Sequence, residues 1–220
     1  MGLPITLFVD AFFCTRFDFR CFVTLEEKGL EYAVSRVMMT EGQGLTQNYK
    51  DLSWTARVPG MVHGDFWLAE SIAIVEYLED FFPAPGWPRV YPADARARAR
   101  MRQVMSFLGS DLYRLNNERP SWMIAYPAKP PPMTPAARAD ADELVHLATR
   151  LVESGALDEW SIASADLTFA LLRLTRTGET LSPALKALID SNLSRPSVKK
   201  YLGHDRPPYP PTTGRRAAVG

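Results

Sequence analysis

Hydrophobic positions in the N-terminal part of the chain follow two different periods. Residues 5–9 form a short apolar run rich in β-forming side chains, which predicts a buried strand. Over residues 15–28 apolar side chains recur at helical spacing, and Gly29 follows where a helix commonly ends. A second strand is predicted over residues 32–37. Strand, helix and strand form a βαβ unit, whose two strands run parallel.

A second unit follows over residues 57–80. Apolar runs at 61–62 and 66–68 flank the two-residue turn Gly64-Asp65, which predicts a β-hairpin. Glu70-Ser71 then opens a segment whose apolar residues lie on one helical face. The N-terminal block is therefore βαβ followed by ββα, a mixed sheet of four strands with helices packed on it.

The remainder of the chain shows helical patterns without a β pattern. The Pro/Gly-rich stretch 82–88 predicts a domain boundary, and the polar stretch 40–56 and the proline-rich stretch 120–135 predict irregular connections. Helices are predicted over residues 93–117 and 134–153, from Ser161, from Ser182, and over 195–202. We expect an N-terminal domain at 1–82, a linker at 83–92, a helical domain at 93–202 and a disordered tail at 203–220.

Composition narrows the class of protein. The chain has 220 residues, 46% hydrophobic and 23% charged, as in ordinary soluble domains. Lys plus Arg and Asp plus Glu are equal at 25 each, which argues against a partner that is nucleic acid or a membrane surface. No apolar run is long enough to span a membrane, and the N-terminus lacks a secretory signal pattern. Two cysteines do not make a disulfide framework, so we expect reduced thiols and a cytoplasmic location.

Several common catalytic motifs are missing from the sequence. There is no phosphate-binding loop, no dinucleotide glycine fingerprint and no nucleophile elbow. The three histidines are scattered over a hairpin, a helix and the tail, so no metal-ligand spacing exists and we expect no metal. Hydrolases, kinases, NAD enzymes and metalloenzymes are disfavoured.

Two features of the second unit indicate a ligand instead. Pro59 leaves the N–H and C=O groups of Val58 able to face outward as an open strand edge, where an extended peptide could pair. The helix that starts at Ser71 offers N–H groups and a hydroxyl to a carboxylate, and Glu70 offers a charge to an ammonium. The plainer alternatives are a proline that ends a loop and an ordinary capped helix. Together the two features favour a small peptide with a free amino-acid end.

These residues resemble the glutathione S-transferase family. Val58-Pro59 resembles its cis-proline site, and Glu70-Ser71 resembles the pair that holds the γ-glutamyl group. Trp160 to Leu167 resembles its helical folding motif, and Arg195 to Val198 its late segment. The resemblance implies an α+β thioredoxin-like N-terminal domain, an all-helical bundle as C-terminal domain, and glutathione as co-substrate. The implied glutathione-binding residues are Arg57, Val58, Pro59, Glu70 and Ser71.

Two neighbouring residues, Cys14 and Thr15, are candidates for the catalytic position. Counting back from Gly29 by the spacing common in Ser- and Cys-type members lands on Thr15, which is followed by Arg16 where those members often have proline. In one interpretation the Thr15 hydroxyl, with Arg16 and the helix N–H groups, stabilises the glutathione thiolate. In a second, Cys14 forms a mixed disulfide with glutathione. Cys14 could also be a small buried hydrophobe, and neither residue need be catalytic.

The resemblance also sets expectations for the second substrate and for assembly. We expect an aromatic-lined cleft between the domains for an apolar electrophile, a peroxide or a disulfide, with domain-interface packing as the alternative. The candidate lining residues are Phe12, Phe13, Met105, Tyr113 and Trp122. We expect a homodimer acting in detoxification. The competing hypothesis is a non-catalytic member of the same fold that acts in protein interaction or regulation.

Overall fold

A computed structural model describes residues 3–38 and 47–209. The strands are β1 (Ile5–Asp10), β2 (Ala33–Val37), β3 (Gly60–His63) and β4 (Phe66–Ala69). The helices are α1 (Arg16–Glu27), α2 (Gln47–Leu52), α3 (Ser71–Phe81), α4 (Ala95–Ser110), α5 (Tyr113–Glu118), α6 (Trp122–Ala125), α7 (Pro135–Glu153), α8 (Ile162–Arg176), α9 (Pro183–Ser194) and α10 (Pro196–Leu202). None of the helices in this part of the chain is long and apolar enough to cross a membrane.

The strands form one mixed sheet in the order β2-β1-β3-β4. β1 pairs with β2 in parallel and with β3 antiparallel, and β3 pairs with β4 antiparallel. The predicted βαβ-ββα arrangement is confirmed. Helices α1 and α3 pack together, and apolar residues of β1 and of both helices share one core. After α3 the described chain is helical, as predicted.

Helix α8 lies at the centre of the helical region. Every residue from Ile162 to Leu174 is buried. Ser161 precedes it, and the Ser164 hydroxyl in the first turn donates to the Ser161 carbonyl at 2.8 Å and accepts from the Ser161 N–H at 3.4 Å. Because α8 contacts α1 as well as α4, α7 and α9, it connects the helical region to the sheet region.

A buried ion pair holds the end of α1 against the end of α3. The Lys28 ammonium lies 2.7 Å from Glu79 and donates to the carbonyls of Phe82 and Pro88, where the chain leaves α3. These contacts satisfy the donors of a fully buried lysine, which would otherwise be strongly destabilising.

The predicted helix over 93–117 is wrong in one respect, because it is two helices. α4 ends at Ser110, and Leu112 has a φ of 55° in the left-handed region. The turn brings two N–H groups in the first turn of α5, those of Arg114 and Leu115, to 2.8 and 3.0 Å from a carboxylate oxygen of Asp140 on α7. A cap supplied by a distant helix is not visible in a local hydrophobic period.

Two predicted irregular connections contain short helices. The stretch 40–56 includes α2, and the stretch 120–135 includes α6. Residues 40–46 of the first stretch lie outside the described part of the chain. Tyr49 of α2 is 4% exposed, with its ring packed on Phe8 and Trp67. Packing of this aromatic ring against the sheet explains a helix in an otherwise polar segment.

The predicted disordered tail also needs correction. Residues 203–209, here called the C-terminal strap, pack against the loop that follows β1. The Arg206 guanidinium donates to the carbonyl oxygens of Tyr201, Leu202, His204 and, at 2.9 Å, Phe13. These hydrogen bonds order a segment whose composition alone favours disorder. Residues 210–220 lie outside the described part of the chain.

Candidate functional site

Strand register brings the candidate residues to one end of the sheet. Phe8 lies opposite Gly60, and Gly60 lies opposite Ala69, so the three residues form a row across β1, β3 and β4. Neighbouring strands are about 4.8 Å apart, so this row is about 10 Å wide. The loop 11–15, the Val58-Pro59 peptide and the Glu70-Ser71 pair all extend from this row at the same end of the sheet.

The Val58-Pro59 peptide bond is cis. Pro59 is buried, Val58 is half-buried and Arg57 is exposed. The Tyr49 hydroxyl donates to the carbonyl of Arg57 at 2.7 Å, which holds the backbone just before Val58. A Cβ at Gly60 would lie 2.0 Å from the same hydroxyl oxygen, so this close approach requires glycine. α2 therefore supports the segment that resembles a peptide-binding edge.

Helix α3 begins without a side-chain cap. Glu70 occupies the N-cap position with a φ of 69° and no capping hydrogen bond, whereas α1, α4, α7 and α9 are capped by Thr15, Asp94, Thr134 and Ser182. The first N–H groups of α3 therefore lack the usual internal acceptor. An uncapped helix start with an exposed Glu70 carboxylate beside it offers donors to an anion and an acceptor to a cation.

Ser71 is buried and is contacted by α1. Arg20 Nη1 donates to Ser71 Oγ at 3.3 Å, and the Cys21 thiol lies 3.6 Å from the Ser71 carbonyl oxygen. Because a hydroxyl has one donor and two acceptor positions, accepting from Arg20 leaves the Ser71 proton available to an external acceptor such as a carboxylate. Burial raises the pKa of Cys21 well above its ordinary value, so this thiol stays neutral.

A buried ionic cluster lies behind Ser71, between α1 and α8. Arg20 Nη2 contacts Asp166 at 2.5 Å, and Arg16 Nε lies 3.8 Å from the other oxygen of the same carboxylate. Desolvation lowers the pKa of Arg16 to about 10, even though Asp166 opposes the shift, so the guanidinium remains charged at neutral pH. Arg173 is a third buried guanidinium nearby, and burial lowers its pKa to about 9.

Thr15 is the N-cap of α1. Its Oγ1 accepts the Asp18 N–H at 3.0 Å and lies 2.7 Å from Asp18 Oδ2. The Tyr201 hydroxyl donates to the Thr15 carbonyl at 2.9 Å. Thr15 is half-buried, whereas Cys14 is 5% exposed and is not in a disulfide. Of the three sequence candidates, Thr15 is the most accessible, and Arg16 points to the cluster with Asp166.

The candidate pocket residues separate into two groups. Tyr209 of the C-terminal strap contacts the rings of Phe12 and Trp122 at centroid distances of 5.1 and 4.7 Å, with Tyr126 at 4.9 Å. The Tyr126 hydroxyl donates to the Pro207 carbonyl at 2.8 Å. An aromatic cluster therefore lies over the loop 11–15, and the strap supplies one of its rings.

The other predicted lining residues lie elsewhere. Phe13 is fully buried, with His204 of the strap 4.2 Å from its ring. Met105 is 1% exposed in the core of α4, where its sulfur accepts from the Tyr91 hydroxyl at 3.4 Å. Tyr113 is 61% exposed at the start of α5 and makes no ring contact within the described residues. The structure thus brings Phe12 and Trp122 together but does not join Met105 or Tyr113 to them.

Comparison with known proteins agrees with this fold. The glutathione S-transferase N-terminal domain matches residues 9–80, and the glutathione S-transferase C-terminal domain matches residues 94–205. A fold of this kind, with a thioredoxin-like sheet region followed by helices, defines the class. The chain belongs to the glutathione S-transferase family.

Individual relatives are more distant. A solved glutathione transferase homologue from Burkholderia with bound glutathione is 32% identical, with a TM-score of 0.73, covering 91% of this chain and 97% of that one. Maleylpyruvate isomerase from a Ralstonia species is 33% identical over 97 residues, which is 44% of each chain. Glutathione S-transferase 1 of Dianthus caryophyllus is 34% identical over 95 residues, 43% of this chain and 42% of that protein. The chain thus spans less than half the length of these two curated relatives.

The sequence did not single out several residues that support the site. Asp18, Arg20 and the strap residue Arg206 contact Thr15, Ser71 and the loop 11–15 respectively. On α1 the polar residues Asp18 and Arg20 are as buried as Phe19, the apolar residue between them. Fully buried charges on an otherwise apolar helix face are the signal, but burial becomes visible only in the fold. Within the described residues no cluster of three or more His, Cys, Asp or Glu side chains could hold a metal ion.

Proposed function

We propose that this protein is a glutathione-dependent transferase that binds glutathione at the end of the sheet and directs its thiolate at a second substrate. The observation that carries the proposal is the meeting, at one end of the sheet, of a cis Val58-Pro59 peptide, an uncapped α3 start at Glu70-Ser71, and the Thr15 N-cap of α1. The related Burkholderia structure with bound glutathione supports the same ligand.

In this proposal the cysteinyl unit and the γ-glutamyl end of glutathione each have a matching group on the protein. The backbone of Val58 pairs with the cysteinyl unit, as an added strand pairs with a sheet edge. The Ser71 hydroxyl and the first N–H groups of α3 bind the γ-glutamyl carboxylate, and Glu70 binds the γ-glutamyl ammonium. Arg57, exposed beside Val58, is a further glutathione-binding candidate from the sequence.

Thiol activation is assigned to Thr15. A free thiol has a pKa of about 8.5, and hydrogen bonds and helix N-termini lower this pKa. Thr15 is half-buried at the start of α1, where its hydroxyl and the N–H groups of the first turn stabilise a thiolate. The thiol loses its proton to water, and the thiolate forms a bond to an electrophilic carbon, a peroxide oxygen or a disulfide sulfur while the leaving group departs. Arg16 contributes only through the local field, because its guanidinium contacts Asp166.

The aromatic cluster of Phe12, Trp122, Tyr126 and Tyr209 supports an apolar second substrate. It lies over the loop that carries Cys14 and Thr15, next to the proposed position of the sulfur. Stacked rings favour flat or apolar molecules. We place the second-substrate pocket at this cluster, with Met105 and Tyr113 outside it.

The similarity to maleylpyruvate isomerase supports a second candidate reaction. A thiolate can add to one carbon of an activated double bond, allow rotation about the resulting single bond, and leave again. Glutathione would then be regenerated, and the substrate would change only in geometry. The alternative without catalysis is a protein of this fold that acts in interaction or regulation, as a homodimer or otherwise.

A comparison of Thr15→Val with Cys14→Ala tests the activation step. Both variants and the wild type are assayed for conjugation of chlorodinitrobenzene, reduction of cumene hydroperoxide, reduction of a glutathione mixed disulfide, and isomerisation of maleylpyruvate. The pKa of bound glutathione is measured from the ultraviolet absorbance of its thiolate. We expect Thr15→Val to raise that pKa by about one unit, the equivalent of one hydrogen bond to a charged group. A loss of activity in Cys14→Ala alone would overturn the assignment in favour of thiol exchange.

A further inference from the structure

Asp18 is the residue whose hydrogen bonding decides what Thr15 can do. Thr15 Oγ1 accepts the Asp18 backbone N–H at 3.0 Å, and the same oxygen lies 2.7 Å from Asp18 Oδ2. A threonine hydroxyl has one proton and two acceptor lone pairs. One lone pair of Thr15 Oγ1 accepts the Asp18 N–H in the helix cap. The Asp18 carboxyl group therefore determines what the second lone pair and the hydroxyl proton contact.

The two protonation states of Asp18 have opposite consequences. An ionised carboxylate only accepts, so the Thr15 proton must point at Oδ2 and cannot reach a bound sulfur. A protonated carboxyl group can instead donate to Oγ1, which fills the second lone pair and leaves the Thr15 proton free to point outward. Only the second state lets Thr15 stabilise a thiolate.

The surroundings of Asp18 favour the protonated state. Asp18 is 0% exposed, and within residues 3–38 and 47–209 no ion pair involves it. Its Oδ1 has no hydrogen-bond partner, whereas Oδ2 has Thr15 within hydrogen-bonding distance. A buried carboxylate with one oxygen unsatisfied is costly, and the proton belongs on the oxygen that faces an acceptor.

We propose that Asp18 is a positioning residue that donates its proton to Thr15 Oγ1 and thereby turns the Thr15 hydroxyl toward the glutathione sulfur. The proposal rests on the function proposed above, because it presumes that Thr15 contacts the bound thiol. The proposal explains why the Thr15 hydroxyl points toward the sulfur, and it requires that the Asp18 carboxyl group remains protonated near neutral pH.

The charged and titratable neighbours of Asp18 are consistent with this role. Burial raises the pKa of Asp18 well above its ordinary value. The hydrogen bond with the Thr15 side chain opposes this rise, the charge of Asp10 adds to it, and a hydrogen bond from the Asp10 backbone also opposes it. Tyr49 of α2 and Tyr201 of α10 face Asp18, and burial raises the pKa of both hydroxyls. On α1 itself, the pKa of Cys21 is raised by burial, which the cation of Arg20 opposes.

Two readouts on the full-length protein test the role. The first is the carboxyl carbon resonance of Asp18 in protein labelled at aspartate, assigned by its disappearance in Asp18→Asn, which has the same shape without a titrating proton. We expect the resonance to report a protonated carboxyl group at pH 7. A resonance that reports an ionised group at that pH would overturn the proposal.

The second readout is the pKa of bound glutathione in Asp18→Asn. Because the amide carries no charge and can still donate to Thr15 Oγ1, Asp18→Asn should keep the thiol pKa within about 0.3 unit of wild type. Asp18→Val has no donor and should raise the thiol pKa by about one unit; an unchanged thiol pKa in Asp18→Val would also overturn the proposal. Loss of a negative charge beside the sulfur would instead lower the thiol pKa by about one unit or more. Such a fall would show that Asp18 is ionised and would refute the proposal.

Stability provides a check that does not depend on glutathione. The folded pKa of Asp18 lies above its unfolded value, so the folded state holds more protons and wild-type stability falls as pH rises through that interval. Asp18→Asn has no titrating carboxyl group at this position and does not lose stability in this way. The difference in melting temperature between Asp18→Asn and the wild type should therefore increase in favour of the variant from about pH 4 upward. A difference independent of pH would contradict the proposal.

The outcomes also separate this inference from the proposed function. If glutathione does not bind, the function itself is wrong. If it binds but Thr15→Val leaves the thiol pKa unchanged, the activation by Thr15 fails and the role of Asp18 fails with it. If Thr15→Val raises the thiol pKa but Asp18→Asn lowers it, only the role of Asp18 fails.

Discussion

Glu70 combines a proposed binding role with an unfavourable backbone conformation. Its φ of 69° lies in the left-handed region, and its carboxylate is exposed and caps nothing. Conformations of this kind cost a residue other than glycine about 1–3 kcal/mol and occur preferentially at functional sites. Glu70→Gly should relieve the strain while removing the carboxylate, and Glu70→Ala should remove the carboxylate alone.

The magnitudes follow from these two terms. Glycine loses about 0.5–1 kcal/mol more in conformational entropy on folding, so the net gain of Gly over Ala should be about 1 kcal/mol. For a chain of this size that corresponds to about 2–4 °C in melting temperature. Because Glu70 is exposed, its ion pair with the γ-glutamyl ammonium contributes little, and both variants should bind glutathione about fivefold more weakly.

Thermal unfolding without ligand and calorimetric titration with glutathione measure the two terms separately. We expect Glu70→Gly to melt higher than Glu70→Ala and both to bind equally weakly. A glycine variant that is no more stable than the alanine variant would refute the strain. Unchanged affinity in both variants would refute the contact between Glu70 and the ammonium.

Three further perturbations test the surroundings of the site. Asp166→Asn should lower the free energy of unfolding by about 3–5 kcal/mol in urea titration, because Arg16 and Arg20 lose their buried counter-ion. Arg206→Ala should speed hydrogen exchange of the backbone amides in loop 11–15 by about tenfold, because the strap no longer holds that loop. Burial, and to a lesser extent nearby cations, lowers the pKa of His204, so the neutral ring stabilises the fold above pH 6.5 and this stabilisation is lost as the pH falls below 6.5. His204→Phe should therefore make the melting temperature less sensitive to acid.

Each of these three predictions has a control or an outcome that would contradict it. Asp142→Asn on the exposed face of α7 should leave the free energy of unfolding unchanged, and an equal loss in both aspartate variants would refute the buried cluster. Exchange in loop 11–15 that is the same in Arg206→Ala and wild type would mean that the strap does not hold it. His146 is also exposed on α7, and His146→Gln should keep the acid sensitivity of the wild type. If His146→Gln lost this sensitivity, the assignment of the effect to His204 would be wrong.

Local patterns predicted the part of the fold that holds the candidate site. The hairpin, the start of α3 at Glu70-Ser71 and the helix that ends near Gly29 each depend on neighbours in sequence: a turn pair, a helical period, a terminal glycine. Their meeting at one sheet end follows from βαβ-ββα topology. These elements could therefore be predicted without knowledge of any distant contact.

The errors involve contacts between residues far apart in sequence. The break between α4 and α5 depends on Asp140, and the order of the strap depends on Arg206 reaching the Phe13 carbonyl. Asp18 and Arg20 look like polar positions of an amphipathic helix until the sheet and α8 bury them. The supporting residues of the site could be found only from the three-dimensional packing.

Calorimetric titration of glutathione into the wild type, Ser71→Ala and Ser106→Ala tests the central claim most directly. Ser71 combines a buried hydroxyl with the open start of α3, whereas Ser106 is exposed on α4. We predict that the wild type and Ser106→Ala bind glutathione equally, and that Ser71→Ala binds at least about tenfold more weakly, because one hydrogen bond to a carboxylate is lost. Absence of binding to the wild type, or equal binding by all three proteins, would contradict a glutathione site at this end of the sheet.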